Sequence, residues 1–356
     1  MYIRNLNDLL LYVDNLQLKP SESLMLFVGD KSASTVSDLM NYLNSKNINF
    51  FGGIYSGLLV SDRNERTGYI IKIVEPVYSS LVLPFMMRFK LELPEYKGAT
   101  AVVIADGLSS KLKDLTDTVY GKLEDNVTYI GGGAGYFDMS HHPCVFNNNG
   151  IYKDAIHLCL IKSKVKVAVE HGWKKLRGPF KVKSSHDNIL SELDNEKAFD
   201  LYKSVIEEED NIILSKEGFF SYAKDHPFGI DAGLGRVIVR DPISVNEKNE
   251  IVCVANIPEG SNLYILKGDS GLLLDSSIKI ATVCAMEAPD EYTPLLFDCI
   301  SRAMFLEEKF TTELSNIQEK IKYDVEGALS IGEISSKANG EIVIHNKSTV
   351  LALIHN

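Results

Sequence analysis

The chain repeats one pattern of apolar and polar positions three times. Each copy contains a short apolar run, a stretch with apolar residues three and four positions apart, and a glycine-rich stretch that leads into a second apolar run. Short apolar runs are typical of buried strands, and the spacing of three and four is typical of a helix with one face on a core. The glycine-rich stretches cover residues 50–74, 127–161 and 327–354. The pattern therefore predicts a repeated β-α-β-β unit.

The same positions predict the individual elements. The first strands are residues 24–28, 101–105 and 295–300, and the helical stripes are Val36-Leu39-Met40-Leu43, Leu112-Leu115-Val119-Leu123 and Ala303-Leu306-Phe310-Leu314-Ile317-Ile321. The third stripe predicts one long helix. We expect residues 127–161 to form a hairpin with a crowded, bulged mouth and residues 76–94 to form an apolar crossover. The predicted fold class is α/β (α+β), with the repeated β-α-β-β units packed as layered sheets and helices on the outside.

The glycines at the centre of the chain are predicted to be structural requirements. Gly131, Gly132, Gly133 and Gly135 follow one another closely after an apolar run. Glycine is needed where φ is positive or where another group lies too close for a side chain. We expect one of these two reasons to apply at each position.

From residue 164 onward the pattern changes to strands separated by turns. The predicted strands are residues 165–170, 179–184, 236–240, 250–255 and 262–266, and one amphipathic helix carries Ala198, Leu201, Tyr202 and Val205. We place a domain boundary near Ser163, which divides the chain into residues 20–163 and 164–356.

Charge and composition narrow the class of protein. The net charge is −11, which repels nucleic acid and anionic lipid, so we expect neither nucleic acid nor membrane partners. We find no apolar run long enough to span a bilayer and no basic leader, and the five cysteines are scattered without a disulfide or CxxC pattern. The sequence favours a cytoplasmic protein with reduced thiols.

One candidate set of metal or haem ligands lies inside the central glycine-rich stretch. It contains His141 and His142, followed by Cys144, with His157 and Cys159 on the next predicted strand. Pairing across the predicted hairpin would bring these soft ligands together for structural zinc. Either His141 or His142 alone would serve as an axial haem ligand. The third interpretation is a polar loop followed by two core residues.

The third unit carries a second candidate set at its loop ends. The predicted ligand-binding residues are Arg240, Cys299, Arg302, Gly332, Glu333, His345 and Asn346. In one interpretation Arg302 pairs with Glu333 and the set is structural. In the other, arginine captures a carboxylate, glutamate captures an ammonium group, and Gly332 lets the backbone approach. A rival interpretation is an enzyme in which Cys299 and Glu333 form the site and Arg302 promotes a thiolate.

Several short motifs, taken in order, resemble a known family. They are Gly131-Gly132-Gly133-Ala134-Gly135, Val145-Phe146-Asn147-Asn148-Asn149-Gly150, His171-Gly172-Trp173, Gly178-Pro179-Phe180-Lys181-Val182, Val239-Arg240-Asp241-Pro242, Pro258-Glu259-Gly260, Cys299 to Arg302, Gly332-Glu333-Ile334 and His345-Asn346. The chain resembles the FIST domain proteins (F-box and intracellular signal transduction), with the N-terminal region at 20–163 and the C-terminal region at 164–356.

The resemblance implies a function. It implies a sensory module that binds small ligands such as amino acids and works in signal transduction, and some relatives are similar to haem proteins that sense nitric oxide. We find no attached kinase, cyclase, methyl-accepting or F-box segment, so we expect any output to pass through a separate signalling protein. The expectation is thus a cytoplasmic small-ligand sensor for an amino acid or small carboxylate, without catalytic residues or a cofactor. A haem-binding gas sensor and an enzyme built on Cys299 and Glu333 are the alternatives.

Overall fold

A computed structural model describes residues 1–85, 96–233, 235–337 and 339–356. These residues form three six-stranded sheets and one separate eight-stranded sheet. The fold is mixed α/β, built from three β-α-β-β units, as the repeated pattern predicts.

The first and second units follow one another directly. The first unit consists of β1 (Tyr2–Ile3), α1 (Leu6–Asp14), β2 (Ser23–Gly29), α2 (Val36–Ser45), β3 (Phe50–Tyr55), β4 (Gly57–Val60), β5 (Arg63–Glu65) and β6 (Tyr69–Val74). The second unit consists of β7 (Pro76–Val82), β8 (Ala99–Asp106), α3 (Leu112–Leu123), β9 (Val127–Ala134), β10 (Val145–Asn147), β11 (Gly150–Tyr152) and β12 (Ile156–Ile161).

The third unit is interrupted by the strand-rich segment. The unit begins with β13 (Val165–Glu170). The insertion consists of β14 (Lys174–His186), β15 (Ile189–Leu193), β16 (Glu196–Lys197), α4 (Ala198–Asp210), α5 (Phe219–Ala223), β17 (Phe228–Asp231), β18 (Val237–Arg240), β19 (Pro242–Val245), β20 (Ile251–Cys253) and β21 (Asn262–Lys267). The unit resumes with α6 (Ser270–Met286), β22 (Tyr292–Cys299), α7 (Ile300–Leu306), α8 (Phe310–Gln318), β23 (Glu326–Ser330), β24 (Glu333–Ser336), β25 (Ile342–His345) and β26 (Thr349–His355).

The three units exchange strands in a closed ring. The three sheets have the orders β1-β6-β2-β3-β10-β11, β7-β12-β8-β9-β24-β25 and β13-β26-β22-β23-β4-β5. Each sheet therefore contains four strands of its own unit and a two-stranded hairpin from another unit. The second unit supplies the hairpin β10-β11 to the first sheet, and the third unit supplies β24-β25 to the second sheet. The first unit supplies β4-β5 to the third sheet.

Glycines permit close contact within the parallel strand pairs. A Cβ atom at Gly52, Gly131 or Gly327 would lie 2.1, 1.9 or 1.8 Å from the carbonyl oxygen of the residue paired with it on the neighbouring strand, which is Leu26, Val103 or Leu296. No side chain tolerates that separation, so close approach explains these positions. Gly332 is required for its backbone conformation, because it turns the chain from β23 to β24 with a positive φ of +86°.

The cores lie between and outside the sheets. One buried cluster joins Phe27, Tyr55 and Phe297 from the first and third units, and these rings meet edge to face at centroid distances of 5.2 and 5.8 Å. Further clusters lie under α3 on the second sheet and under α6 and α8 on the third. The insertion has its own core around Tyr202 and α4. None of the described helices is long and apolar enough to cross a lipid bilayer.

Two predicted elements are wrong. Strands β9 and β12 do not pair as a hairpin, because both flank β8, and β9 takes β24 as its second neighbour. The stripe from Ala303 to Ile321 is not one helix, because Glu307 has φ of +51° and a 3-10 turn separates α7 from α8. The predicted crossover at residues 76–94 begins as strand β7, and its remainder from residue 86 lies outside the described residues.

Candidate functional site

The predicted ligand-binding residues of the third unit lie around one buried polar cluster. The cluster occupies the place where β22 and β23 end and where β24 enters the second sheet. Its members, all buried, are Asp241, Asp298, Cys299, Arg302, Glu313, Ser330, Glu333, Asn346, Lys347, Ser348 and Thr349. Polar and charged groups in such number stay buried only when they are paired, protonated or bound to something else. Each charge therefore has to be accounted for.

Arg302 lies at the centre of the cluster, and every nitrogen of its guanidinium group donates to the protein. Nε and Nη2 donate to Oε1 of Glu313 at 3.0 and 2.6 Å, and Nη1 donates to the carbonyl oxygen of His171. Neither Arg302 nor Glu313 is exposed to solvent. The expected pair with Glu333 is therefore replaced by a buried pair with Glu313, and a ligand carboxylate finds no unengaged nitrogen on Arg302.

Asp298 supplies the second carboxylate beside Arg302, at 3.4 Å from its Nε. Its Oδ1 accepts from the backbone N–H of Cys299 at 2.8 Å and from the hydroxyl of Thr349 at 3.2 Å. Burial, together with the nearby charge of Glu313, raises the pKa of Asp298 well above its usual range. The Oδ2 atom has no hydrogen-bond partner. Asp298 is thus a buried carboxyl group beside that of Glu313, and a proton held on Asp298 can be shared with Glu313.

Glu333 lies at the start of β24 and is also fully buried. Its Oε1 accepts from Ser330 Oγ at 2.9 Å, and its Oε2 accepts from the backbone N–H of Ser348 at 3.2 Å. Burial raises the pKa of Glu333 to about 8 against these hydrogen bonds. The carboxyl group is therefore mostly protonated at neutral pH, and it can exchange a proton when a charged group approaches it.

Cys299 lies at the end of β22 and faces Glu333. Burial, reinforced by the charge of Glu333, raises the pKa of the Cys299 thiol. The thiolate expected beside Arg302 does not form at neutral pH, because the guanidinium charge is already engaged by Glu313 and burial favours the neutral thiol.

A second buried ion pair, which the sequence interpretation missed, closes the cluster on the side of the insertion. Lys347 Nζ lies 3.1 Å from Oδ1 of Asp241, donates to the carbonyl oxygen of Lys224 at 2.9 Å and lies over the ring of Trp173. Oδ2 of Asp241 accepts from Ser301 Oγ at 2.5 Å. These contacts fix the insertion, which carries Trp173 and Asp241, against the third unit.

Arg240 and His345 lie at the rim of the cluster, and both are half-buried. Arg240 donates from Nε to the carbonyl oxygen of Asn256 at 2.7 Å and from Nη1 to that of Ile344 at 3.0 Å. His345 pairs with Glu333 in the register of β24 and β25, and its Nε2 lies 2.9 Å from Ser335 Oγ. Burial and the charge of Arg240 lower the pKa of His345 to about 3, so this ring is neutral. Burial lowers the pKa of Arg240 to about 10, so it stays cationic at neutral pH.

The cluster contains buried acceptor atoms without partners. They are Oδ2 of Asp298, Oε2 of Glu313 and Oδ1 of Asn346, while Oδ1 of Asp241 lacks a hydrogen bond but lies 3.1 Å from Nζ of Lys347. Gly332 lies beside Asn346, since a Cβ atom built on this glycine would be 3.5 Å from Nδ2 of Asn346. Buried acceptors of this kind are satisfied by water, by a proton or by a ligand that donates hydrogen bonds. The arrangement thus suits a donor such as an ammonium group.

The missed residues carried a signal in the sequence. Glu313 occupies a position on the apolar stripe of α8, three residues after Phe310 and one before Leu314, and Asp298 interrupts the apolar run of β22. A charged residue on a face that otherwise builds a core needs a partner. Asp241 and Lys347 gave no comparable pattern, because Asp241 lies between two strands and Lys347 lies in a bend.

Two open clefts of the described residues lie away from the cluster. One, of about 700 Å³, lies between β3, β7 and the turn at Asn147 to Asn149, and contains His157. The other, of about 650 Å³, lies between β6 and the end of β26. The open clefts and the buried polar cluster therefore lie in different parts of the protein. The first cleft also holds one buried atom without a partner, Nδ1 of His157, but the cluster holds three such atoms together with buried charges, and it is therefore the stronger candidate.

The proposed haem ligands occupy the loop between β9 and β10. His141 Nε2 lies 2.8 Å from Oδ2 of Asp106, and His142 is exposed with its ring against Tyr136. His157 lies elsewhere, stacked on Phe51 at a centroid distance of 4.5 Å, and burial lowers its pKa to about 3. The structure therefore does not bring these histidines together.

Comparison with known families identifies the chain. Residues 62–196 match the FIST N domain, and residues 198–336 match the FIST C domain. No curated protein matches the sequence. FIST domains are associated with sensory roles in signal transduction. The two matches cover most of the sequence and confirm the resemblance, so the chain belongs to the FIST domain family.

Proposed function

We propose that this protein senses a small molecule with an ammonium group, such as an amino acid, through the buried polar cluster of the third unit. The observation that carries the proposal is the set of unpartnered acceptors on Asp298, Glu313 and Asn346. An unsatisfied buried polar group costs about 1–3 kcal/mol. A ligand that donates to these atoms recovers that cost, which gives a physical reason for binding.

The charges of the cluster support the same ligand class. An ammonium group offers three donors, so it can satisfy more than one of these buried acceptors. Asp298 and Glu333 hold protons that an arriving cation displaces, because a positive charge lowers the pKa of a nearby carboxyl group. Arg240, cationic at the rim, attracts the carboxylate of a zwitterion. An amino acid or a small carboxylate that also carries an amine satisfies both requirements.

The other predicted residues support this site in different ways. Arg302 acts as a positioning residue, because its guanidinium group holds Glu313 in place. Gly332, with φ of +86°, turns the backbone so that Glu333 enters the cluster and Asn346 packs beside it. His345 pairs with Glu333 across the strand edge, and the neutral thiol of Cys299 lines the wall.

The alternative functions receive less support. The raised pKa of the Cys299 thiol disfavours an enzyme with a thiolate nucleophile. A haem iron at His141 would have to displace the carboxylate of Asp106 from Nε2. We therefore propose a binding protein of the cytoplasm whose output passes to a separate signalling protein.

Calorimetry against a panel of free amino acids and small carboxylates tests the proposal. The wild-type protein should bind at least one of them, and Asn346→Ala should weaken that ligand about tenfold or more, because it removes one acceptor. The variant should melt near the wild-type temperature, since Oδ1 of Asn346 has no protein partner to lose.

A matched variant distinguishes the two locations. Asn149→Ala removes an exposed amide that lines the cleft containing His157 and lies outside the buried cluster. The Asn149→Ala variant should bind the same ligand with the wild-type affinity. Loss of binding in this variant, with retention in Asn346→Ala, would move the site to the cleft, and the absence of any binder in the panel would overturn the proposed ligand class.

A further inference from the structure

A separate cluster of ligand-type side chains lies at the carboxyl end of β8. It consists of Asp106, His141 and Asp154, and one ligand atom from each lies within 4.8 Å of the others. Nε2 of His141 is 2.8 Å from Oδ2 of Asp106 and 3.8 Å from Oδ1 of Asp154. Two carboxylates and an imidazole nitrogen thus converge on one point.

Hydrogen bonds from the protein fix both carboxylates. Oδ1 of Asp106 accepts from the backbone N–H of Leu108 at 3.2 Å, and Oδ2 accepts from that of Asp154 at 2.7 Å. The hydroxyl of Ser109 donates to Oδ1 of Asp154 at 2.6 Å. Outer contacts of this kind orient the ligands of a metal ion and limit their freedom before binding.

The other two units show what is unusual about this cluster. Aspartates near the ends of β2 and β22 in those units occupy other positions of the repeat, and each lies against a guanidinium group: Asp30 against Arg66 at 2.5 Å, and Asp298 against Arg302 at 3.4 Å. An arginine stays protonated and does not ligate a metal, whereas an imidazole does. Among the described residues, only the second unit therefore places a metal-ligating imidazole and a further carboxylate beside its aspartate.

Access and charge favour an ion at this place. Asp106 is buried, but the side chains of His141 and Asp154 are 29% and 37% exposed, so an ion reaches the cluster from solvent. The net charge of −11 also favours the approach of a cation. A divalent ion would compensate the charges of the two carboxylates.

We propose that Asp106, His141 and Asp154 bind one divalent transition-metal ion, with zinc the best fit, and that water completes the coordination. One imidazole nitrogen and carboxylate oxygens are ordinary zinc ligands, and three protein ligands leave one open position. The imidazole distinguishes this set from the all-oxygen sites of magnesium and calcium. This site is separate from the amino-acid site of the third unit, so neither proposal depends on the other.

Titration with zinc alone tests the proposal. Untagged protein is first dialysed against a chelator and then titrated by calorimetry, with Co²⁺ absorption in the visible range as a second readout of coordination. The wild-type protein should bind one equivalent. His141→Ala and Asp154→Asn should each weaken binding by more than about a hundredfold, since even loss of an outer-shell partner costs ten- to hundredfold.

Two neighbouring variants provide the controls. His142→Ala and Asp138→Asn change exposed residues of the same loop that do not belong to the cluster. Both should bind zinc as the wild type does. Thermal melting without metal shows whether each variant is folded, and the exposed position of Asp154 makes Asp154→Asn informative even if His141→Ala is unstable. Equal affinity of the wild type and Asp154→Asn, or no stoichiometric binding by the wild type, would overturn the metal site.

Discussion

Replacement of Glu313 by glutamine tests whether Arg302 is held as a buried ion pair. The variant keeps the size of the side chain but removes the charge that accepts two hydrogen bonds from Arg302, at 3.0 and 2.6 Å. Removing one partner of a buried ion pair typically costs 3–5 kcal/mol, because the other charge stays buried without compensation. Asp298, at 3.4 Å from Nε, takes over part of that role. We therefore expect the free energy of unfolding to fall by about 3 kcal/mol, near the lower end of that range.

Urea unfolding followed by tryptophan fluorescence measures this loss directly. The chain has a single tryptophan, Trp173, which is buried and donates from Nε1 to the carbonyl oxygen of Lys347 at 2.9 Å. Its emission therefore reports on the packing of the cluster itself. The free energy of unfolding is compared at an unchanged denaturant slope, so that a change in the unfolded state is not mistaken for a change in the native one.

The control for this prediction is Glu308→Gln. Glu308 is exposed between α7 and α8, so the same chemical change should alter stability by no more than about 0.5 kcal/mol. Arg302→Lys should resemble Glu313→Gln, because a lysine lacks the planar fork that reaches both Glu313 and the carbonyl of His171. If Glu313→Gln unfolds within about 1 kcal/mol of the wild type, the pair is not the main contact of Arg302, and its role as a positioning residue is refuted.

Three further predictions follow from the fold and the cluster. Gly131→Ala should cost about 2–3 kcal/mol in urea unfolding, because its Cβ atom would lie 1.9 Å from the carbonyl oxygen of Val103. Gly121→Ala, in α3 with open space around it, should instead gain up to about 1 kcal/mol, and equal behaviour of the two variants would contradict the close approach. The pKa of Glu333, raised to about 8 from 4.5, favours the folded state at low pH, and this stability is lost as pH rises from about 4.5 to about 8. Glu333→Gln should therefore show a flatter pH dependence of unfolding over that range, and an unchanged profile would show that Glu333 is not the group responsible. Residues 1–163 and 164–356, expressed separately, should each fail to give a cooperative unfolding transition, because residues 1–163 lack the hairpin β24-β25 of the second sheet and residues 164–356 lack the hairpin β4-β5 of the third. A cooperative transition from either half alone would show that strand exchange is dispensable.

The repeated unit could be predicted from the sequence because its signals are local. Apolar runs and helical stripes such as Val36 to Leu43 decide strand or helix within a few residues, and the β-α-β-β order of all three copies is confirmed. Strand partners are not decided locally. Strands β9 and β12 are both apolar and both suit a central position, so nothing nearby shows that β9 pairs with β24, about 200 residues later in the chain.

The cluster could be predicted only in part for the same reason. Cys299, Glu333 and Asn346 were expected to converge because they follow strand ends, and the structure brings them into one cluster. The pairing of Arg302 with Glu333, one of two interpretations of the set, is wrong, because the partner Glu313 lies eleven residues away on a helix that the sequence pattern merged with the preceding one. The positive φ of Glu307 breaks that helix and turns Glu313 toward Arg302, and no pattern of apolar residues marks such a break.

The exchanged hairpins also restrict how a signal can leave the protein. A strand that changes register by one residue moves all its side chains to the opposite face. Here β4 follows β3 and β24 follows β23 after only one or two residues, whereas a loop separates β10 from β9, so a slip in the first or second sheet would have to be matched in the third. The three sheets therefore behave as an interlocked frame that does not slide. A ligand-dependent movement has to appear in what is attached to this frame, namely the outer helices, the loop at residues 136–144 and the inserted sheet from β14 to β21, and these are the surfaces where a signalling partner would detect it.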